Sequence, residues 1–143
     1  MKHYILLYTF LFINILGHSQ KSKNELIIGK WYNFDKTAII EITGFNNKFI
    51  GHIVWMKEPN DKNGNPKLDI KNPDKNLRNQ PILGSQNLFG LTYENGVWKN
   101  GEMYAYKRGG RINFDVVAIN ENELVIEIYK GFFTKKITFT KAN

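Results

Sequence analysis

The sequence predicts an all-β fold, an antiparallel meander of about eight strands rolled into a barrel, on three observations. Apolar residues recur with period two over most of the chain, the mark of half-buried strands. Helical spacing is scarce. Short turns rich in glycine and asparagine separate most of the apolar runs. Eight strands can close a wall and so remove exposed sheet edges; the interior then either fills with side chains or holds one small ligand. A two-sheet sandwich satisfies the same pattern, but the strand number and short connections favour the barrel.

The chain opens with "MKHYILLYTFLFINILGHSQ", in which Lys2 precedes an apolar run from Tyr4 to Leu16, and Gly17 and Ser19 are spaced like a signal-peptidase site. Residues 1–19 are expected to be a cleaved export signal, leaving residues 20–143 as a single β-barrel domain. The run falls short of the roughly 20 apolar residues of a spanning helix, so no membrane span is expected. The chain has no cysteine. It therefore has no disulfides, and it cannot be a lipoprotein, which carries its lipid on a cysteine at the cleavage site. The expected location is periplasmic or extracellular.

The strands follow in order. "IGKWYNF" is the first. "TAIIEIT" places Ala38, Ile40 and Ile42 on the core side, with Ile39 breaking the alternation; "GFNNK" turns the chain, and "KFIGHIVWM" returns. "SQNLFGLTY" and "VWKNGEMYAY" come next. "RINFDVVAI" points Ile112, Phe114, Val116 and Ala118 inward, "INEN" turns, and "ELVIEIY" points Leu124, Ile126 and Ile128 inward. Gly131 ends that run, and "KKITFTK" offers Ile137 and Phe139 to the core.

One long connection, Lys57 to Gly84, lacks strand periodicity. Within it "NPDKNLRN" carries helix signals: Asn72 at the N-cap, Pro73 at the first helical position and Asp74 in the first turn. A short helix is expected, with Leu77 pointing inward and Arg78 near its C-terminal end, where a cation can bond the last carbonyls. Connections of this length in compact domains are usually functional or disordered, and the helix signals argue for order. The segment is expected to act as a lid or plug at one barrel mouth.

Elimination removes several chemistries. His52 is the one histidine beyond residue 19, so a histidine zinc site lacks ligands, and cysteine nucleophiles are absent. Ser22 and Ser85 lack the turn that presents a nucleophilic serine. Glu41, Asp115 and Glu127 alternate against their apolar neighbours and face water, and Glu102 alone makes no acid–base pair. "DKNGN" alternates oxygen ligands, but a calcium loop begun at Asp61 meets Pro66 and Asn72 where it requires glycine and glutamate. No phosphate loop or dinucleotide fingerprint occurs. The net charge of +7 is spread over loops and strand ends, and the aromatics lie on apolar faces, so nucleic acid is not an expected partner. No catalytic residue, metal site or cofactor is expected.

With "GKW", "GHIVW", "KNPDKNLRNQPILG" and "GEMY" in view, the chain resembles domain of unknown function 2147, small exported bacterial proteins with a lipocalin-like β-barrel, from Ile28 to Lys141. The family's loop elements fall on Asn72-Pro73-Asp74, Leu77-Arg78 and Pro81-Ile82-Leu83-Gly84. Gly29-Lys30-Trp31 looks like the Gly-x-Trp opening of lipocalin-type barrels, where the tryptophan plugs one end. The chain departs from the family at "YAYKRGGRINF" and at "KITFTK", which has Phe139 for tryptophan and Lys141 for arginine. The resemblance implies a fold and export, and supplies no catalytic residue.

The expectation is then a non-enzymatic exported barrel holding a small, largely apolar or amphipathic ligand. Trp31, Trp55, Trp98, Tyr104 and Phe114 would line the interior, and Arg78 would offer a carboxylate partner at the rim. The alternative is a cell-envelope module with a packed interior, meeting a protein partner through the hairpin tip around "YAYKRGGR".

Overall fold

The computed structural model describes residues 22–143; the expected leader at residues 1–19 lies outside them. The strands are β1 Gly29–Tyr32, β2 Ala38–Phe45, β3 Lys48–Met56, β4 Gln86–Glu94, β5 Val97–Ala105, β6 Gly110–Ile119, β7 Glu123–Lys130 and β8 Phe133–Lys141. Each pairs antiparallel with the next, and β8 returns to β1 to close the barrel. The alternation in the sequence dictates this wall, because each strand has one greasy face and only closure buries all of them together. At the β2–β3 hairpin Asn46 and Asn47 take φ of 50° and 59°, the left-handed pair a two-residue hairpin turn demands. No helix among the described residues is long and apolar enough to cross a membrane.

Closure rests on two ladder positions, Trp31 opposite Lys141 and Tyr32 opposite Thr140. Trp31 is fully buried, and its Nε1 donates to the Ile27 carbonyl at 2.7 Å. Lys141 Nζ lies 4.1 Å from the Trp31 ring centroid and donates to the Ile28 carbonyl at 3.0 Å. Lysine thus supplies the cation over the plugging indole, a contact worth about 0.5–2 kcal/mol. The plug seals the end that holds the β2–β3, β4–β5 and β6–β7 turns.

Inside, Trp31, Ile42, Leu91, Phe114 and Ile126 are at most 2% exposed and belong to one continuous core. The space left among Ile27, Trp31, Leu88, Phe114 and Phe139 is about 10 Å³, room for about one water molecule. Two inward positions are glycine because nothing larger fits. A methyl group on Gly101 would come within 2.5 Å of the Phe114 ring, and one on Gly51 within 2.9 Å of both Ile40 and Leu88.

Bulges reverse the alternation at several points. On β6 the register shifts between Val116 and Ala118, so Val117 is the extra residue, Ala118 faces water and Ile119 turns inward opposite Leu124. This corrects the inward placement of Ala118.

The long connection is ordered by its own side chains. Asn72 uses every hydrogen-bonding group it has. Its Nδ2 donates to Asp69 Oδ2 at 2.6 Å, its Oδ1 accepts from Asp74 N at 2.9 Å, its backbone N donates to the Asp69 carbonyl at 2.9 Å, and its own carbonyl accepts from Arg78 Nε at 2.7 Å. Because Asn72 is committed to this turn, the helix begins two residues later than expected. A 3-10 turn covers Lys75–Leu77 with Asp74 as its cap, accepting from Asn76 N at 2.9 Å. Leu77 is 46% exposed and does not point inward. Arg78 bonds the carbonyl before the turn instead of those at its end.

The loop docks on the barrel through buried Asp69, whose Oδ1 accepts from Tyr104 OH at 3.0 Å, while Ser85 Oγ and Tyr106 OH bond at 2.5 Å. Lys71 Nζ donates to the Lys107 carbonyl at 2.8 Å, and Gly109 packs against the Lys71 carbonyl with no room for a side chain. Burial, and then the bond to Asp69, push the Tyr104 phenol up to about 12. Burial also raises that of Tyr106.

Two outcomes are expected. Gly101→Ala should destabilise the protein by about 1–3 kcal/mol in chemical denaturation, since overpacking forces the Phe114 ring aside; an unchanged midpoint would show slack in the interior. Tyr104 keeps its proton in the folded state to higher pH than in the unfolded state, where the phenol titrates near pH 10. Its contribution is therefore complete below about pH 10 and is lost as pH rises through the folded value. Tyr104→Phe should lose less stability than the parent between about pH 10 and 12; equal losses would contradict the assignment.

Candidate functional site

The strand ladders leave an opening in the barrel wall between β6 and β7. Pairing of β6 with β7 begins at Phe114 opposite Ile128, so Gly110–Asn113 and Tyr129–Lys130 run apart. Between them lies a cleft of about 310 Å³ lined by Arg108, Gly110, Arg111, Ile112, Asn113, Ile128, Tyr129 and Lys130. That volume is at the lower end of small-molecule sites. Ile112 and Ile128, in phase with the inward residues Phe114 and Ile126, supply its apolar floor, and three cations surround it.

The cations are not equivalent. Arg111 is committed to Glu102 Oε2 at 2.6 Å and lies over the Phe89 ring at 4.1 Å. Arg108 and Lys130 take part in no ion pair among the described residues. Tyr129 OH donates to Asp115 Oδ2 at 3.0 Å, and that bond to a carboxylate raises its phenol above the usual range. The arrangement offers positive charge at a rim and aliphatic surface beneath, with a neutral phenol between them. That is the chemistry of an amphipathic anion. Among the described residues no group of three or more histidine, cysteine or acidic side chains could hold a metal ion.

The residues expected to line the interior separate into two groups. Trp31, Trp98 and Phe114 lie in the core. Trp98 stacks obliquely on Tyr93 with ring centroids 4.6 Å apart, and its buried Nε1 finds no partner among the described residues. Trp55 is 40% exposed and meets Tyr32 edge-on at 6.0 Å on the outer face. A bulge puts it there: Ile40 pairs with Ile53 and Ile39 with Trp55, so Val54 is an extra residue and the phase flips.

Tyr104 is buried but stands outside the core cluster. The register of β5 against β6 shifts between Trp98 and Gly101, where Asn100 takes φ of 62°. Trp98 and Gly101 both point inward, so Tyr104 points outward and is covered by the loop. Arg78 is half-buried, and its Nε is spent on the Asn72 carbonyl. It organises the loop and does not converge with the core aromatics.

Arg108 and Arg111 fall within the "YAYKRGGR" segment that the sequence singles out, whereas Tyr129 and Lys130 were missed. The signal available for those two was weak: a tyrosine and a lysine just before Gly131, at a strand end where pairing to β6 has already stopped.

Comparison with known proteins bears on the fold. A solved structure described as "Protein HP1028 from the human pathogen Helicobacter pylori belongs to the lipocalin family" superposes with a TM-score of 0.68 at 23% identity, covering 82% of this chain and 83% of that one. At that identity the likeness establishes a lipocalin-like barrel. No curated protein matches. A family described as "Uncharacterized protein conserved in bacteria (DUF2147)" matches residues 29–141, the whole closed barrel from the first residue of β1 to the last of β8, and the chain belongs to that family.

Proposed function

We propose that the protein is a non-enzymatic, exported lipocalin-like barrel that binds a small amphipathic anion, a carboxylate or phosphate on a short aliphatic tail, in the cleft between β6 and β7. The observation that carries this reading is the contrast between the core, where about 10 Å³ is left among Ile27, Trp31, Leu88, Phe114 and Phe139, and the wall opening of about 310 Å³. A largely apolar ligand inside the barrel, held by Trp31, Trp98 and Phe114, would require those side chains to leave the core. The cleft requires no such rearrangement. An anionic head meets Arg108 and Lys130, and a tail lies on Ile112 and Ile128. Export is supported by the leader-like pattern of residues 1–19.

The second reading, an envelope module that meets a protein partner through the hairpin tip around Tyr104–Arg111, shares the filled interior. The base of that tip is tied to the loop, by Lys71 to the Lys107 carbonyl and by Ser85 to Tyr106, while the Lys107 and Arg108 side chains stay exposed.

Octanoate is a suitable probe. Titrated into protein recovered from the exported fraction, with its N-terminus at Gln20 by mass spectrometry, it should give saturable amide shifts at Arg108–Asn113 and Ile128–Lys130 in NMR spectra. Arg108→Gln combined with Lys130→Gln should weaken binding about 3- to 30-fold. Shifts centred on Trp31 and Phe114, or no saturation, would overturn the cleft as the site; retention in the cytosol with the leader intact would overturn export.

A further inference from the structure

The β7–β8 turn carries Phe132, the most exposed aromatic side chain among the described residues, next to Phe133. Phe132 is 105% exposed and Phe133 80% exposed, beside Gly131, whose φ of 61° makes the tight reversal. The turn stands away from the barrel on both sides. Beyond Ile128, β7 has left β6, and β8 pairs with β1 only at Thr140 and Lys141, so Phe133–Phe139 has no partner on that flank among the described pairings.

Charge at the tip has one sign. Lys130, Lys135 and Lys136 flank the two phenylalanines, and no acidic residue follows Glu127 in the chain. Glu127 faces Lys136 across the ladder and offsets that one lysine in part. Phe34, 67% exposed on the β1–β2 turn, adds a third aromatic ring at the same end of the barrel.

We propose that this tip docks the protein on an anionic lipid surface, with Phe132 and Phe133 entering the boundary between headgroups and acyl chains and the lysines meeting lipid phosphates. A convex apex of two rings supplies a small part of the roughly 800 Å² that each partner contributes to a stable protein interface. A bilayer receives such a shape without a matching pocket. Burial of each ring removes apolar area from water, and each lysine gains from the negative surface potential. The tip lies beyond the cleft, so a ligand taken from or delivered to the membrane would pass the phenylalanines first.

Residues 20–143, the expected mature chain, suit the test, because the barrel closes entirely between Gly29 and Lys141. They should sediment with vesicles of phosphatidylcholine and phosphatidylglycerol in equal parts, weakly with phosphatidylcholine alone, and less as salt is raised. Phe132→Ser combined with Phe133→Ser should weaken binding at least about tenfold, and Lys135→Gln combined with Lys136→Gln about fivefold. Phe45→Ser, at a ring on the opposite end as exposed as Phe133, should change nothing. All of these variants should keep the parent's melting temperature, and Phe132→Trp should show a blue-shifted emission when vesicles are added.

Absence of sedimentation with the mixed vesicles, or equal losses in the Phe45 and Phe132/Phe133 variants, would overturn the proposal. So would a dimer in sedimentation velocity that the Phe132/Phe133 variant dissolves while vesicles bind neither protein, since the tip would then serve a second copy of the chain.

Discussion

Close packing of the barrel interior is the constraint on which everything else depends. The Phe114 ring lies so near Gly101 that a single methyl group would collide with it, and Gly51 is held between Ile40 and Leu88 in the same way. Interiors at this density tolerate neither added volume nor a guest. The Trp31 indole finishes one end, with its N–H satisfied by Ile27 and its face under Lys141. A barrel filled in this manner commits Trp31, Trp98 and Phe114 to packing.

The wall is uneven in a way that follows from the strand lengths. β1 is four residues long and β8 nine, so β1 can pair with only the last part of β8. β6 diverges from β7 at the same end. The β7–β8 hairpin is thus attached at its base and free along both flanks beyond it, and a two-stranded ribbon alone is marginal in water. The other side of this end is stiffened by the long connection, where Asn72 ties Asp69, Asp74 and Arg78 together and Asp69 anchors the assembly to Tyr104. One side of the mouth is braced while the opposite side stands open.

Much of this was legible in the sequence. Strand number, meander order and barrel closure follow from the period-two pattern and the turn residues, and Trp31, Trp98 and Phe114 occupy the core as their alternation requires. The failures on the strands share one physical cause. Alternation predicts a side chain's direction only while each residue adds half a pleat, and a bulge adds a residue without that step. The extra residues Val54 and Val117, and the irregularity at Asn100, turned Trp55, Ala118 and Tyr104 outward. The loop deceived differently: Asn72 has the chemistry of a helix cap, but its side chain was claimed by Asp69 and Asp74, and a capping residue serves one turn at a time. The cleft left little trace, because it arises where two strands stop pairing, and pairing partners are not written in either strand alone.

The filled interior can be tested without reference to any ligand. Xenon enters dry apolar cavities in proteins and reports them by a saturable shift in its NMR resonance. Residues 20–143 under increasing xenon pressure should show no saturable site and no perturbation of the Trp31, Leu88 or Phe114 signals. Saturable uptake with shifts at those three side chains would show a hollow barrel and contradict it.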